Sequence, residues 1–172
     1  MSMGSSVVRR AGANVFLTSE DEWYKAAYYD AASMSYFSYP AGSDTQTTCA
    51  VAGAAANSAN CNSVEGDLTD LGSYAGSASP YGTFDQGGNV DEWTELVWGS
   101  DRGVRGGSFS YPASRLAAGS GAVGTPTFDR DFGGFRVASR QFPRGIPALG
   151  PFGLLLVASG LLGFGWYHRG RR

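Results

Sequence analysis

Four carboxylates crowd into the stretch YGTFDQGGNVDEWTE, residues 81 to 95, where two adjacent glycines and an asparagine lie among Asp85, Asp91, Glu92 and Glu95. Negative charges this close together repel one another unless water, a proton or a cation compensates them. Three arrangements would use such a set of side chains. They are a solvated acidic turn, an acid–base pair and a cation site.

The spacing of the carboxylates separates these alternatives only in part. With Asp85 at the first position of an EF-hand, Val90 stands where glycine is required and Leu96 where the bidentate glutamate belongs, so this template fails. A glycosidase-like pair of Asp85 and Glu92 has only proximity to support it. Calcium accepts mixed carboxylate and carbonyl oxygens, and glycines let a chain turn its carbonyls inward. A calcium loop of another type and a solvated turn both remain open.

Histidine and cysteine are too scarce for most other catalytic sites. The single histidine, His168, lies among the C-terminal arginines, so the preceding part of the chain cannot form a Ser-His-Asp triad or a histidine zinc site. Cys49 and Cys61 are twelve residues apart, which is the wrong spacing for a redox or zinc CxxC motif. We expect a disulfide between them in an exported protein, with two unpaired thiols as the alternative.

Charge argues against nucleic acid as a partner. The formal net charge is −2, but residues 1 to 143 carry 9 Arg plus Lys against 15 Asp plus Glu, whereas residues 144 to 172 carry four Arg and no acid. An acidic body lacks the basic patch that phosphate binding needs. The 26 glycines and the many aromatic residues are typical of a loop-rich fold held by aromatic rings.

The predicted elements around the carboxylates are short. Ser19 followed by Glu22 is a capping box, and it predicts a helix over about residues 20 to 29, after a short strand at 15 to 17. Residues 38 to 80 have few apolar anchors and predict a long surface excursion. Strand-like pieces follow at 96 to 101, 104 to 111 and 132 to 140.

The C-terminal stretch IPALGPFGLLLVASGLLGFGWYHRGRR, residues 146 to 172, predicts a single transmembrane helix. It carries no charge from Ile146 to Tyr167, a length that crosses a hydrocarbon core of about 30 Å. Trp166 and Tyr167 suit an interfacial aromatic belt, and the terminal arginines suit the cytoplasmic side. A buried hairpin of the globular core is the alternative, but it leaves the arginine cluster unexplained.

This order of proline, apolar span and terminal arginines resembles the PEP-CTERM and IPTL-CTERM sorting signals of bacterial exported proteins. The resemblance implies a single-pass cell-membrane protein whose body lies on the periplasmic or extracellular side, with a sorting protease as a partner that could cleave the tail. The opening IPALGP departs from both subtypes. Residues 1 to 16 contain no apolar signal-peptide core, so we expect a truncated reading frame or another export route.

Four ordered motifs lie over residues 15 to 139, which are LTSEDEWYKAA, FDQGGNVDEWTE, RGVRGGSF and GGFRVAS. They carry a resemblance of the body to the formylglycine-generating enzyme, or sulfatase-modifying factor, domain family. It implies an α+β, loop-rich, C-type-lectin-like fold, here N-terminally incomplete. We expect a poorly ordered leader at residues 1–14, this partial domain at 15–140, a linker at 141–145 and the membrane segment at 146–172.

The resemblance also implies a structural calcium site in the stretch from residue 81 to residue 95, the carboxylate loop. Its ligands would be the side chains of Asp85 and Glu92 with the carbonyls of Gly88 and Val90. Asp91 departs from the family, which has tryptophan there, and it adds a charge beside the expected ion. The family's other calcium site cannot be aligned with the 38 to 80 excursion.

The catalytic members of the family bind copper through two cysteines between their Arg-Gly-Gly-Ser and Gly-Phe-Arg motifs. Here that interval is SYPASRLAAGSGAVGTPTFDRDF, without cysteine, histidine or methionine, so we expect no copper site and no catalytic residue. The expected protein is a non-catalytic binding or structural module with a surface ligand that the sequence does not identify. The alternative is an enzyme of the wider superfamily with oxidoreductase or other chemistry.

Overall fold

The computed structural model describes residues 9–127 and 131–140. The chain divides into two compact units, Met1–Ser139 and Arg140–Arg172, and every element below belongs to the first. Within the described ranges, no helix combines the length and hydropathy needed to span a membrane. The transmembrane segment predicted at 146–172 lies outside these residues.

The described residues of the first unit form one α-helix and ten short strands. In chain order these are β1 (Val15–Leu17), α1 (Glu20–Tyr28), β2 (Tyr29–Asp30), β3 (Ser35–Tyr36), β4 (Thr48–Cys49), β5 (Ser58–Ala59), β6 (Asp91–Trp98), β7 (Asp101–Arg105), a 3₁₀ turn (Ala113–Leu116), β8 (Ala122–Gly124), β9 (Gly133–Phe135) and β10 (Val137–Ser139). The result is a sheet-rich fold with few helices and long irregular connections, which agrees with the loop-rich α+β part of the predicted fold class.

Helix α1 begins at the predicted capping box. The Ser19 hydroxyl accepts a hydrogen bond from the Glu22 amide, and the Glu22 carboxylate accepts one from the Ser19 amide, so two otherwise unpaired donors are satisfied. The helix buries Trp23, Ala27 and Tyr28, which form one of the two apolar clusters found among the described residues. The indole N–H of Trp23 on this face donates to the Glu92 carboxylate.

The central sheet has four strands in the order β8-β7-β6-β9. Strands β6 and β7 form an antiparallel hairpin whose register shifts between Trp93 and Val97, and β9 pairs with β6 in parallel. Strand β1 pairs with β10 in a separate antiparallel ribbon, in the register Val15 to Ser139. Arg136 lies between β9 and β10, at the point where the chain leaves one sheet for the other.

All three predicted strand-like pieces have the wrong boundaries. The piece predicted at 132 to 140 consists of two strands, β9 and β10, which lie in different sheets. The strand predicted at 96 to 101 spans the hairpin turn, because the turn lies at Gly99, whose φ is +60°, and the strand before it begins at Asp91. The strand predicted at 104 to 111 ends at Arg105, since Gly106 and Gly107 adopt positive φ values of 92° and 71°. The carboxylates Asp91 and Glu92 therefore lie on a strand.

The 38 to 80 excursion is irregular apart from the two-residue parallel pair of β4 and β5. A disulfide joins Cys49 at the end of β4 to Cys61 just after β5. Cys61 is fully buried with Ala59 and Leu116 in the second apolar cluster. The cross-link thus fastens the excursion to the interior instead of merely closing a surface loop.

Candidate functional site

The carboxylate of Glu92 lies in a buried position between the helix and the β9–β10 bend. Its side chain is 6% exposed. The Trp23 indole N–H donates to Oε2 at 2.5 Å. Arg136 forms a bidentate pair with the same carboxylate, with Nε donating to Oε2 at 2.6 Å and Nη2 donating to Oε1 at 2.5 Å. Both oxygens of this carboxylate are therefore bound by side-chain donors of the protein.

The Arg136 guanidinium also binds the backbone of the predicted calcium loop. Its Nη2 donates to the carbonyl oxygens of Phe84 at 3.2 Å and Asp85 at 3.3 Å. One cationic group thus joins a loop carbonyl pair to a buried carboxylate. Its planar fork of N–H donors matches that geometry, whereas the point charge of a lysine ammonium does not.

Asp85 is bound to two different parts of the chain. Its backbone has φ of +56°, a left-handed conformation that aspartate tolerates better than most residues. Its side-chain Oδ2 accepts from the Gly72 amide at 2.7 Å, while its carbonyl accepts from Arg136. The carboxylate therefore fixes the end of the long excursion against the loop.

Gly88 occupies a position that excludes any side chain. Its φ is +82°, and a Cβ there would lie 2.3 Å from the Asn60 carbonyl oxygen. The Gly88 amide donates to the Gly106 carbonyl at 3.0 Å, and the next residue, Asn89, donates from its amide to Asn60 at 2.9 Å. Val90 packs against the Gly134 backbone of β9. These contacts bring together three segments distant in sequence.

The four predicted calcium ligands, Asp85, Gly88, Val90 and Glu92, thus lie in one loop–strand connection. In the arrangement seen, their carboxylates are bound by Arg136, Trp23 and Gly72, so the residues do not fit a calcium ion ligated by Glu92. The described residues also contain no group of three or more His, Cys, Asp or Glu side chains that could hold a metal ion. Calcium binding here stays a prediction of the sequence.

Asp91, the departure from the family pattern, is buried at the first position of β6. Its amide donates to the Phe132 carbonyl at 2.9 Å, and it lines a small cavity together with Arg105 and Arg115. Asp91 therefore shares this cavity with two arginines.

Asn60 is a polar residue of this region that sequence reasoning missed. It is 1% exposed, and its Nδ2 donates to the Asp67 carbonyl at 2.8 Å and to Asn89 Oδ1 at 3.2 Å. Its own Oδ1 is buried and accepts no hydrogen bond from the described part of the chain. Asn60 lies in a Ser- and Ala-rich region, and no sequence pattern there predicts that this asparagine is buried.

The interval in which the catalytic relatives carry copper ligands holds none of the soft ligands that Cu(I) needs. The 3₁₀ turn lies within this interval and carries the buried Leu116, and the Tyr28 hydroxyl donates to the Leu116 carbonyl at 3.0 Å. The two cysteines of the chain are joined to each other in the disulfide Cys49–Cys61. No free thiol is present in the chain to replace the missing pair.

Residues 8–141 match the model of the sulfatase-modifying factor enzyme 1-like domain. The chain belongs to this family. The match covers most of the chain and includes Arg9, which the sequence places in a poorly ordered leader and which pairs with Glu22 and Glu95. No curated protein matches the chain.

Solved structures of the same fold include three proteins that share less than a quarter of their residues with this chain. Treponema denticola variable protein 1 is 22% identical with a TM-score of 0.54, over 80% of this chain and 55% of its own. PvdO from Pseudomonas aeruginosa is 23% identical with a TM-score of 0.53, over 72% and 51%. CarF is 24% identical with a TM-score of 0.56, over 77% and 50%. The chain spans about half the length of these structures, and the likeness establishes the fold alone.

Proposed function

We propose that this sulfatase-modifying-factor-like domain is a non-catalytic binding or structural module. The observation that carries the proposal is the chemistry of the interval between the Arg-Gly-Gly-Ser and Gly-Phe-Arg motifs. It contains no cysteine, histidine or methionine. Cu(I) requires soft ligands, and a thiolate pair is what the oxidase chemistry of the family uses.

The rest of the carboxylate region supports the same proposal. An acid–base catalyst needs a group that can exchange a proton with a substrate in a cleft. Glu92 is buried, and its two oxygens bind Arg136 and Trp23. Asp85 binds the Gly72 amide. Both carboxylates therefore form hydrogen bonds that join segments of the protein to one another.

The experiment that tests this proposal is an assay of the full chain with copper, oxygen and a peptide carrying the cysteine motif of sulfatases. We expect no aldehyde product above the level given by copper and peptide alone. A copper-loaded formylglycine-generating enzyme is the positive control. Aldehyde formation that depends on the chain would contradict the proposal and favour an enzyme with other metal ligands.

We further propose that the domain is exported and held at the cell membrane by residues 146–172. The support is the uncharged span from Ile146 to Tyr167 followed by terminal arginines. Deletion of 146–172 should move the protein from the membrane fraction to the soluble fraction. Replacement of Arg169, Arg171 and Arg172 by serine is the matched control, since it leaves the apolar span intact. Membrane retention of the deleted chain would contradict the anchor.

A further inference from the structure

A groove of about 440 Å³ lies between β1, the hairpin of β6 and β7, and β9. Its volume falls in the range of small-molecule sites, roughly 300–1,000 Å³. Trp93, Thr94 and Glu95 at the end of the 81 to 95 stretch line it, whereas Arg136 and the predicted calcium ligands do not. The groove is therefore a separate candidate for ligand binding.

Aromatic and aliphatic side chains form most of the groove wall. Trp93 on β6 and Phe135 on β9 are cross-strand neighbours, and Phe16 on β1 completes the aromatic part. Phe135 is 68% exposed and Val15 is 63% exposed. Apolar surface open to water in a concave site gains free energy when an apolar ligand covers it.

The indole of Trp93 is held in place by the sheet. A Cβ at Gly124 on β8 would lie 2.8 Å from the Trp93 ring, so glycine at this position permits the ring to rest on the backbone. The Phe16 ring is covered by the Arg9 guanidinium, whose carbon lies 3.7 Å from the ring centroid. These contacts make the wall a set of positioned rings, which is the preorganisation that ligand binding needs.

The charged lining of the groove is basic, although the body of the protein is acidic. It consists of three arginines, Arg9, Arg10 and Arg102, and one carboxylate, Glu95. Arg9 is committed to ion pairs with Glu22 and Glu95. Arg10 is exposed and forms no ion pair within residues 9–127 and 131–140, so its charge is available at the groove.

From this combination of an aromatic wall with a basic rim we propose that the groove binds an apolar carboxylate, a compact molecule with a flat hydrophobic body and one anionic group. The body covers Trp93, Phe135 and Phe16, and the carboxylate accepts hydrogen bonds from Arg10. Charge selects the sign of the ligand, because a cation would meet the excess of arginines. The proposal is independent of whether the domain is catalytic.

The test is equilibrium dialysis of the full chain with 2-naphthoate, 2-naphthylmethanol and 2-naphthylmethylamine. These probes share one apolar body and differ in charge. We expect the carboxylate to bind saturably and more tightly than the neutral alcohol, and the amine to bind most weakly. Equal binding of all three probes, or no saturable binding of naphthoate, would overturn the proposal.

Variants locate the bound probe. Arg10→Gln should weaken naphthoate binding about tenfold, the loss of one charge-assisted contact, and leave the alcohol unchanged. Phe135→Ala should weaken both probes. Both side chains are exposed, so both variants should keep the fold. Lys25→Gln removes a cation outside the groove, so it should change neither the affinity for naphthoate nor that for the alcohol. Its far-ultraviolet spectrum and melting curve are the reference against which the fold of the other two variants is checked.

Two further outcomes would assign the groove to something else. If Arg10→Gln leaves naphthoate affinity unchanged, the probe is bound elsewhere and the proposed site is wrong. If sedimentation shows a dimer that dissociates on Phe135→Ala and excludes the probe, the occupant is a second copy of this chain. A concentration-independent monomer with Arg10-dependent naphthoate binding is the result that supports the proposal.

Discussion

Arg136 holds the carboxylate of Glu92 through two hydrogen bonds of 2.6 and 2.5 Å and at the same time donates to the carbonyl oxygens of the loop that precedes β6. The two residues are separated by 44 positions in the sequence. Carboxylate and carbonyl oxygens are also the ligands that calcium prefers. In this chain a guanidinium binds them, and it links the loop to the bend between β9 and β10.

The first prediction concerns the cost of removing this cation. Arg136→Met leaves the Glu92 carboxylate buried, with Trp23 as its remaining side-chain donor. An uncompensated buried charge destabilises a protein by about 3–5 kcal/mol. The free energy of unfolding, measured by urea titration, should fall by about that amount.

The double variant Glu92→Met with Arg136→Met is the control. It removes both charges and leaves apolar side chains of similar length, so it should be more stable than Arg136→Met alone. If the double variant were as unstable as the single one, the loss would come from packing and not from the unpaired carboxylate.

The second prediction concerns calcium. Because the carboxylates of Asp85 and Glu92 are bound by groups of the protein, we expect the melting temperature to be the same in excess EDTA and in excess CaCl₂. A melting temperature that falls on chelation, and no longer does so in Glu92→Ala, would establish the ligands that the sequence predicts. Arg136 would then have to share the carboxylate with the ion.

The sequence predicted helix α1 but not the contact between Arg136 and Glu92, and one physical reason explains both outcomes. The capping box of Ser19 and Glu22 lies within one helical turn, so its geometry follows from spacing alone. The partner of Glu92 depends on tertiary packing, since Arg136 reaches it only after β9 has paired with β6. Glu92 and Arg136 lie in two of the motifs found in the sequence, but the motifs do not show that the two residues contact each other.

The strand boundaries illustrate the same limit. The run from 96 to 101 reads as apolar and extended, yet the turn at Gly99 divides it between β6 and β7. Glycine conformations at Gly106 and Gly107 end β7 sooner than the alternation of side chains suggests. Positive φ values are a property of the folded backbone, and glycine permits them without requiring them.

The third prediction is a pH dependence at the N-terminal end of α1. The hydrogen bonds from Arg9 lower the pKa of Glu22 from its ordinary 4.5 to about 2. The folded state therefore binds this proton less readily than the unfolded state, and the stabilisation is complete above pH 4.5 and is lost as the pH falls towards 2. The Glu22 side chain is 42% exposed, so solvent screening limits the effect to less than about 1 kcal/mol.

Arg9→Gln provides the comparison for this titration. It should lower stability at pH 6 and flatten the loss of stability between pH 4.5 and 2, as followed by urea unfolding at each pH. Unchanged slopes in the variant would show that Glu22 titrates without help from Arg9.

The fourth prediction uses two glycines with similar backbone angles. Gly88 and Gly82 have φ values of +82° and +76°, but a Cβ would lie 2.3 Å from the Asn60 carbonyl oxygen at Gly88 and would meet nothing within 4 Å at Gly82. Gly82→Ala should cost about 1 kcal/mol for the left-handed conformation alone. Gly88→Ala should cost clearly more, because a backbone oxygen must also move. Equal losses of unfolding free energy would show that the loop adjusts freely.

The last prediction concerns the disulfide. The bond between Cys49 and Cys61 closes a loop with a sequence separation of 12, and a loop of this size stabilises a fold by about 3 kcal/mol in the chain-entropy description. The double variant Cys49→Ser with Cys61→Ser should lose at least this much, because Cys61 is fully buried and serine would place a hydroxyl in the cluster with Ala59 and Leu116. Dithiothreitol should lower the unfolding free energy of the natural chain and leave that of the double variant unchanged. If the reductant acted equally on both, its effect would not come from this bond, and the excursion would be held by its hydrogen bonds alone.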